Sequence, residues 1–346
     1  MSLTQTAYTS RNAIKYGGIS LVIFLIMWSV IVGGIKAYQA AHPPYIAPTV
    51  KYGILPKIVF LEKQISAKDF TFEFPNDSVP KFKDQQKVYI IYRPNSSFLA
   101  LDQDTKTAAD LGFTSQPVQV KEGIYEFKNE ALSRTLTMNV LDGSFTMEYP
   151  YKNDQMLLTP GNVPTKDESI KTASDFLKSA NKYPTDIETG DKKVSFWKID
   201  VDGLKAAESQ SDANVARVDF YRKNVDTDIS IFSSELDKSS ISVLVSGSDV
   251  NEKKIVEVVY KYANIDRESF STYPIKTSDE AMADLKSGNY WVASDVSNQS
   301  VTIRKMYLAY FEPVTLTNYM QPIFVFEGDN NFVAYVPAVS DKYTQK

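Results

Sequence analysis

A stretch of twenty residues without a charged side chain constrains this chain more than any other feature. It reads YGGISLVIFLIMWSVIVGGI, residues 16–35, and Lys15 and Lys36 flank it. With a rise of 1.5 Å per residue, a helix of this length spans about 30 Å, the thickness of the hydrocarbon core of a bilayer. The sequence therefore predicts a transmembrane helix over residues 16–36.

The surroundings of this span favour a retained anchor over a cleaved signal peptide. The apolar run is longer than the roughly 7–15 residues of a signal-peptide core, and no clean cleavage site follows in IKAYQAAH. Positive charges are balanced, with Arg11 and Lys15 before the helix and Lys36 and Lys51 after it. The α-amine and the lack of acidic residues in the tail, residues 1–15, favour a cytoplasmic N-terminus. The C-terminal part is then expected outside the cell membrane.

Two small residues inside the span, Ser29 and Gly33, are four positions apart. Small residues at this spacing let two transmembrane helices approach closely. Self-association through the helix is compatible with this pair. The membrane itself is the first partner that the sequence predicts.

Composition removes several classes of chemistry. The chain has no cysteine, which excludes disulfides, thiolate nucleophiles and thiolate metal sites. Its net charge of −4, without a basic cluster, gives no field that would attract nucleic acid. The single histidine, His42, lies in AHPPYIAP, within a predicted proline-rich linker over residues 37–56. A histidine-based triad or zinc site is therefore not expected, and we expect no metal, cofactor or catalytic residue.

Two similar segments, 112 positions apart, organise the rest of the chain. TKDESIKTASDFLKS starts at Thr165 and TSDEAMADLKS starts at Thr277. In each, the threonine and the glutamate three residues later form a capping box, and Leu177 and Leu285 occupy the apolar faces. Strands that read SFTMEYP and SFSTYP precede them. We interpret this as an internal duplication of the order strand–strand–helix–strand–strand.

The predicted fold is therefore α+β, with one N-terminal transmembrane helix and two repeated units. Each unit is an antiparallel sheet with a helix on one face. Another helix is expected at residues 97–111, between Ser97 as N-cap and Gly112. A hairpin is expected at Asp142 and Gly143. The predicted divisions are an N-terminal extracytoplasmic module at residues 57–130, a first unit at 131–235 and a second unit at 236–346.

The closing strands carry a resemblance to a known family. VTIRKMYLAYFEPVTLTNYMQPIFVFEGDNNFVAYVPAV, residues 301–339, resembles the end of PepSY-like domains, such as those of the extracytoplasmic YycH and YycI regulators. The duplicated layout and the single N-terminal anchor are also similar to that group. Its members restrain or tune a membrane sensor kinase that controls cell-wall metabolism. The resemblance implies a bacterial regulator or binding module without catalysis, and it transfers no partner-binding residue.

Three S-x-x-K motifs could in principle form serine–lysine dyads. They are Ser78–Lys81, Ser179–Lys182 and Ser195–Lys198. A catalytic pair needs the serine at the start of a helix, so that the lysine lies one turn further on. The first motif contains Pro80, the second lies at a helix end and the third lies on a predicted strand. None is expected to be catalytic.

The densest carboxylates are Asp200 with Asp202 and Asp226 with Asp228. DVDG begins like a calcium-binding loop, but Leu204 occupies the next ligand position and no glutamate follows at the twelfth. A strand end followed by a turn is the better interpretation.

Aromatic residues are abundant, with 21 tyrosines and 19 phenylalanines. Most are expected in the core and in cross-strand pairs. Tyr310 and Phe311 point to opposite faces of one strand, and Tyr307 lies on the same strand. Part of this aromatic surface is therefore expected under a helix or available to a partner.

The leading hypothesis is a membrane-anchored extracytoplasmic protein that binds another envelope or membrane protein, with a sensor kinase as one candidate. Two other classes stay open. One is a structural component of an envelope assembly of the secretion or pilus type. The other is a histidine-free hydrolase of cell-wall polymer.

Overall fold

The computed structural model describes residues 3–42, 45–60, 69–92, 100–200, 202–226, 229–233, 236, 238–262, 264–294, 300–312 and 317–345. The chain divides into two compact units, Met1–Pro48 and Thr49–Lys346. The predicted cap Ser97 and the candidate Asp228 lie outside the described residues.

The first unit is dominated by one helix, α1 (Leu3–Ala41). Its segment Tyr8–Ala40 is exposed and is long and apolar enough to cross a membrane. The helix extends beyond the predicted 16–36 at both ends, and residues 3–15 and 37–41 contain neither proline nor glycine that would end it. Ser29 donates a hydrogen bond to the carbonyl of Ile26 at 2.7 Å, which satisfies its hydroxyl within the helix.

The folded unit contains the remaining elements. In chain order they are β1 (Asp69–Phe72), β2 (Gln85–Tyr92), α2 (Ala100–Asp110), β3 (Val118–Lys121), β4 (Ile124–Asn129), β5 (Arg134–Asn139), β6 (Phe145–Glu148), α3 (Lys166–Ser179), α4 (Thr185–Glu188), β7 (Lys192–Asp200), β8 (Gly203–Ala206), β9 (Val215–Phe220), β10 (Ile231–Phe232), β11 (Ile241–Ser246), β12 (Ile255–Tyr260), β13 (Asn264–Pro274), α5 (Ser278–Ser287), β14 (Trp291–Val292), β15 (Ser300–Phe311), β16 (Tyr319–Gly328) and β17 (Val333–Pro337). The predicted α+β class is confirmed.

The first sheet has nine strands in the order β3-β4-β5-β6-β12-β11-β9-β7-β8. Every neighbouring pair is antiparallel. Helix α3 packs on β7, β9 and β11. Leu177 of α3 is fully buried in the core between helix and sheet, together with Phe127, Leu136 and Val243. Its predicted role as a core residue is confirmed.

The second sheet has eight strands, and β15, β16 and β17 form its centre. Strand β2 pairs with both β13 and β16, in antiparallel orientation. Strands β1 and β10 are exceptions to the antiparallel pattern, because each runs parallel to β15. Helix α5 packs on β17 and β1, and Leu285 is fully buried beneath it.

The two sheets share part of their local topology, but the strand directly after the capped helix pairs differently in each, β7 with β9 and β14 with β17. Each contains a three-stranded antiparallel meander after its capped helix, β9-β11-β12 in one and β15-β16-β17 in the other. In each, the segment before the helix pairs with the end of that meander: β6 with β12, and Ile275 with Val339. Both predicted capping boxes, at Thr165 and at Thr277, form. The internal duplication stays a prediction.

The sheets do not follow the predicted division of the chain. Strands β3 and β4, from the proposed module 57–130, and β11 and β12, from the proposed unit 236–346, all lie in the first sheet. Strands β1 and β2 lie in the second sheet. Local sequence signals mark where strands begin and end, but they do not show which distant strand is the pairing partner.

Part of the predicted linker is integrated into the folded unit. Leu55 is fully buried. The backbone N–H of Thr49 donates to the hydroxyl of Thr272 at 3.0 Å, and the N–H of Tyr52 donates to the hydroxyl of Tyr273 at 3.0 Å. The folded unit therefore begins about eight residues before residue 57.

Candidate functional site

A cleft of about 360 Å³ opens where elements of the two sheets meet. We call it the inter-sheet cleft, and Tyr92, Asp104, Asp142, Lys182, Tyr262 and Asn264 define it. Tyr92 and Asn264 come from the second sheet, where they face each other across β2 and β13. The other four come from α2, from the β5–β6 turn and from segments that flank the first sheet.

The end of α3 positions Lys182. Asn181 adopts a left-handed conformation with a φ of 54°, and Lys182 donates its backbone N–H to the carbonyl of Leu177 at 2.8 Å. The N–H of Asn181 donates to the carbonyl of Lys178 at 3.0 Å. These bonds form a Schellman motif, which fixes the direction of the chain as it leaves the helix.

The ammonium group of Lys182 is held between two acceptors. Its Nζ donates to the carbonyl of Gly143 at 3.3 Å and lies 5.7 Å from the centre of the Tyr260 ring. The Tyr260 ring in turn stacks on Phe145 with a centroid distance of 5.1 Å. A backbone acceptor and an aromatic face therefore stabilise this half-buried cation.

The turn between β5 and β6 positions Asp142. Its carboxylate accepts hydrogen bonds from the backbone N–H and the hydroxyl of Ser144, at 2.8 Å and 2.5 Å, and from the amide of Asn139 at 3.0 Å. Gly143 follows with a φ of 71°, a conformation that glycine adopts without a steric penalty. The predicted Asp142-Gly143 turn is therefore present.

Helix α2 supplies Asp104, another residue of the cleft lining. Ala108, one turn further along the same side of the helix, is buried in the core of the first sheet, and Asp104 lines the cleft. Within the described residues, the Asp104 carboxylate forms no hydrogen bond and no ion pair, although Lys182 lines the same cleft. The cleft thus contains two opposite charges that are not in contact with each other.

Burial shifts the proton affinities of both groups. Burial raises the pKa of Asp104, and the nearby Lys182 opposes this shift. Burial also lowers the pKa of Lys182, against the attraction of Asp104 and Asp142. Perturbed acids and bases that share a cleft are typical of functional sites.

A buried network of charges lies behind Tyr262. Its hydroxyl donates to Asp186 at 2.9 Å, and the Arg222 guanidinium lies 4.7 Å from the centre of its ring. Arg222 forms an ion pair with Glu312 at 2.9 Å, and the hydroxyl of Ser240 donates to Glu312 at 2.9 Å. Because Arg222 follows β9 and Glu312 follows β15, this ion pair joins the two sheets.

None of the serine–lysine motifs forms a hydrogen-bonded pair. The hydroxyl of Ser179 donates to the carbonyl of Phe176, while Lys182 points to Gly143. Ser195 accepts from the Trp197 indole at 2.8 Å. The remaining lysine of that motif, Lys198, forms an ion pair with Asp212 at 3.1 Å. Ser78 follows a short 3₁₀ turn and adopts an extended conformation, which is not the start of a helix.

The predicted carboxylate pairs take structural positions. Asp200 and Asp202 both face Lys205, at 2.5 Å and 3.9 Å, at the β7–β8 turn. Asp226 forms an ion pair with Lys87 at 2.8 Å and accepts from the Tyr310 hydroxyl at 3.1 Å. Within the described ranges, no group of three or more His, Asp or Glu side chains could hold a metal ion.

The strand with Tyr307, Tyr310 and Phe311 offers less aromatic surface than expected. Tyr310 and Phe311 are fully buried in separate core clusters on opposite faces of β15. Tyr307 is half-buried and donates its hydroxyl to Glu327 at 2.6 Å. Among the described residues of the folded unit, Tyr92 is the one tyrosine that is largely exposed, with 60% of its surface accessible.

His42 lies outside any site. Its ring stacks on Tyr38 at a centroid distance of 4.4 Å, and its Nδ1 lies 3.2 Å from the Tyr38 carbonyl. The single histidine of the chain therefore lies directly after α1, as part of no candidate site.

Sequence reasoning missed the inter-sheet cleft. Two local sequence signals mark residues that line it. One is the Asp142-Gly143 turn, and the other is Asn181, which precedes Lys182 at a helix end. Their convergence depends on the pairing of β6 with β12 and of β2 with β13, which local patterns do not reveal.

Comparisons with known proteins give only distant likenesses. No family model matches the chain, and no curated protein matches it. The structure is similar to that of an uncharacterized protein from Eubacterium rectale, with 12% identity, coverage of 80% of this chain and 90% of that chain, and a TM-score of 0.40. It is also similar to the C-terminal domain of Bacillus megaterium YpeB, with 12% identity, coverage of 72% and 95%, and a TM-score of 0.29. These scores are too low to establish a shared fold, so membership of the PepSY-like YycH and YycI group stays a prediction.

Proposed function

We propose that this chain is a membrane-anchored extracytoplasmic protein that regulates another envelope protein by direct contact. The observation that carries the proposal is the combination of an exposed apolar helix, α1, with a separate compact α+β unit that follows it. An anchor of this kind keeps a folded unit at high effective concentration beside membrane partners.

The charge pattern around α1 supports the proposed orientation. Arg11 and Lys15 precede the span and no acidic residue lies beside them in residues 3–15, which favours retention of this segment in the cytoplasm. The absence of cysteine is compatible with export, because an exported chain without thiols forms no unwanted disulfide. The folded unit is then outside.

The chemistry of the described polar residues favours binding. The serine–lysine motifs are separated, and the Asp200 and Asp226 carboxylates are paired with lysines. Asp104 and Lys182 line the inter-sheet cleft without forming an ion pair with each other. The exposed Tyr92 lies at this cleft, and tyrosine is among the residues that contribute most to binding energy at interfaces.

The test is a substitution scan scored separately for folding, partner binding and activity in cells. Tyr92→Ala is expected to weaken partner binding and activity together while the melting temperature stays near that of the wild type, because its side chain is exposed. Val118→Ala is the matched control, an exposed apolar side chain outside the cleft, 57% accessible, and it should be silent.

Deleting residues 3–41 tests the role of the anchor. We expect loss of activity in cells with unchanged affinity for the purified partner in solution, since only the effective concentration at the membrane changes. One serine or carboxylate whose substitution abolishes activity with folding and binding intact would contradict the proposal and identify an enzyme.

A further inference from the structure

We propose that the guanidinium of Arg134 is a binding site for a single carboxylate group, supplied by a small organic acid or by an acidic side chain of another protein. Arg134 lies beside the core of the first sheet and is not part of the inter-sheet cleft. The proposal goes beyond contact with a membrane partner, because the purified chain can be tested for it alone.

The turn before β5 places Arg134, which is the first residue of that strand. In this turn the N–H of Leu132 donates to the carbonyl of Asn129 at 3.3 Å, and Ser133 adopts a left-handed conformation with a φ of 52°. Arg134 then faces Asn129 across β4 and β5. All residues of 100–200 and 238–262 are described, so the strands around this side chain have no gap.

The guanidinium is buried without an acidic partner. Arg134 is 6% exposed and forms no ion pair with a described residue. Its Nη2 donates to the sulfur of Met147 at 2.8 Å, and its Cζ lies 5.1 Å from the centre of the Phe113 ring. A thioether is a weak acceptor, whereas a guanidinium has five N–H donors.

The remaining nitrogens of Arg134 are also unsatisfied. Nε is fully buried and has no hydrogen-bond partner. Nη1 likewise has no partner among the described residues, but it is not fully enclosed, so an anion can approach the group there. Arginine pairs with a carboxylate through two parallel hydrogen bonds, which is the arrangement that these donors lack.

The other buried charged side chains of the described chain all have a partner. Asp219 pairs with Arg217 at 2.9 Å, Arg222 with Glu312 at 2.9 Å, and Lys276 with Asp284 at 2.6 Å. Arg134 is the exception. Because a buried charge is costly unless it is paired and hydrogen-bonded, a bound anion accounts for this residue better than packing alone does.

The surroundings of Arg134 favour an anion with one negative charge. Phe113 and Met147 are both buried and apolar. A carboxylate forms a neutral pair with the guanidinium, whereas a dianion such as sulfate leaves a net charge beside these side chains. Burial lowers the pKa of Arg134, and the negative charge of the exposed Glu252 opposes this shift. Glu252 forms no ion pair with Arg134, so the position next to the guanidinium is open.

The experiment measures the melting temperature of the full chain in detergent micelles at pH 7. The probes are sodium acetate, sodium sulfate and, as reference, sodium chloride. Salts also change stability without binding to a site, so each shift is compared with that of Arg134→Met. We expect acetate to raise the melting temperature of the wild type more than that of the variant, as a ligand of the folded state does. Chloride and sulfate should act equally on both proteins.

Two peptides distinguish the sources of the carboxylate. They are acetyl-Gly-Glu-Gly amide and its glutamine counterpart, which lacks the charge. If the glutamate peptide raises the melting temperature through Arg134 and acetate does so as well, an acidic side chain of another protein can fill the site. If acetate alone does so, the ligand is a small organic acid.

Substitutions test whether the cation is unpaired in the free protein. In sodium chloride, Arg134→Met should be at least as stable as the wild type, because it removes a buried charge that has no partner. Arg217→Met is the matched control and should lower the melting temperature, since it leaves Asp219 buried without its cation. Glu252→Gln keeps Arg134 and should enlarge the acetate shift by removing a charge that repels the anion. Glu208→Gln, at an exposed position, should not change it.

The proposal is overturned if acetate shifts the wild type and Arg134→Met equally, or if sulfate acts through Arg134 as strongly as acetate. It is also overturned if Arg134→Met is clearly less stable than the wild type in sodium chloride. A smaller acetate shift in Glu252→Gln would likewise contradict it. None of these outcomes bears on the proposed contact with a membrane partner, which the substitution scan tests separately.

Discussion

Two glutamates of the first sheet, Glu257 and Glu148, face each other across β12 and β6. Burial, and then the charge of Glu148, raises the pKa of Glu257. A carboxyl group with a raised pKa binds its proton more tightly in the folded state than in the unfolded state. Its ionised form therefore destabilises the fold at neutral pH, and this effect disappears as the pH falls below the unfolded value.

Glu257→Gln is accordingly expected to stabilise the protein at pH 7. Like charges directly opposite each other in a sheet cost about 0.2–1 kcal/mol, and the substitution removes one of them. The difference from the wild type should vanish near pH 4, around the unfolded pKa of glutamate of about 4.3. Thermal unfolding at both pH values measures this. Glu208→Gln, at an exposed position, is the control, and a stabilisation that persists unchanged at pH 4 would refute the electrostatic explanation.

At the scale of single elements, the sequence predicted the two capped helices and the strands that precede them. The capping boxes at Thr165 and Thr277 depend on residues three positions apart, so they are visible in a local window. Apolar residues alternate at Val256, Val258 and Tyr260, a pattern typical of a strand, and this segment is β12. Elements whose position depends on distant partners, such as β1 beside β15, had no local signal.

The two capped helices should respond alike to loss of their core leucines. Leu177 and Leu285 are both fully buried, and leucine-to-alanine substitution in a core costs about 2–5 kcal/mol once the cavity is included. Leu177→Ala and Leu285→Ala should each lower the melting temperature of the full chain. The exposed controls Lys171→Ala and Lys286→Ala should leave it nearly unchanged. A leucine substitution that leaves the melting temperature unchanged would show that its helix does not pack on the sheet through that leucine.

At the scale of the whole molecule, buried charges connect the two sheets. The side chains of Arg222 and Glu312 are 2% and 11% exposed, and their ion pair joins the end of β9 to the end of β15. Sequence patterns could not reveal this pair, nor the cleft next to it, because its members are 90 positions apart in the chain. Local sequence patterns predict individual helices and strands, whereas the contact between the two sheets depends on which distant strands pair.

Removing one partner of this ion pair should destabilise the folded unit strongly. Arg222→Met leaves the Glu312 carboxylate buried without its cation, which typically costs about 3–5 kcal/mol. Replacing both residues by methionine should restore part of the stability, because the Glu312 charge is no longer buried without its partner. Asp186 also loses Arg222, at 3.8 Å, but keeps the hydrogen bond from Tyr262. Chemical denaturation of the three proteins gives the comparison. A double variant less stable than Arg222→Met alone would contradict this account of the junction.

The most direct measurement for the central claim is cross-linking of intact cells with a reagent that cannot cross the membrane, followed by purification in detergent and mass spectrometry. We predict that lysines of the folded unit react, and that the chain is joined to a membrane protein of the envelope. In the same sample, Lys15, in the tail before the span, should stay unmodified. Protection of the folded unit from the reagent, or reaction without any cross-linked envelope protein, would contradict an anchored extracytoplasmic protein that acts by contact.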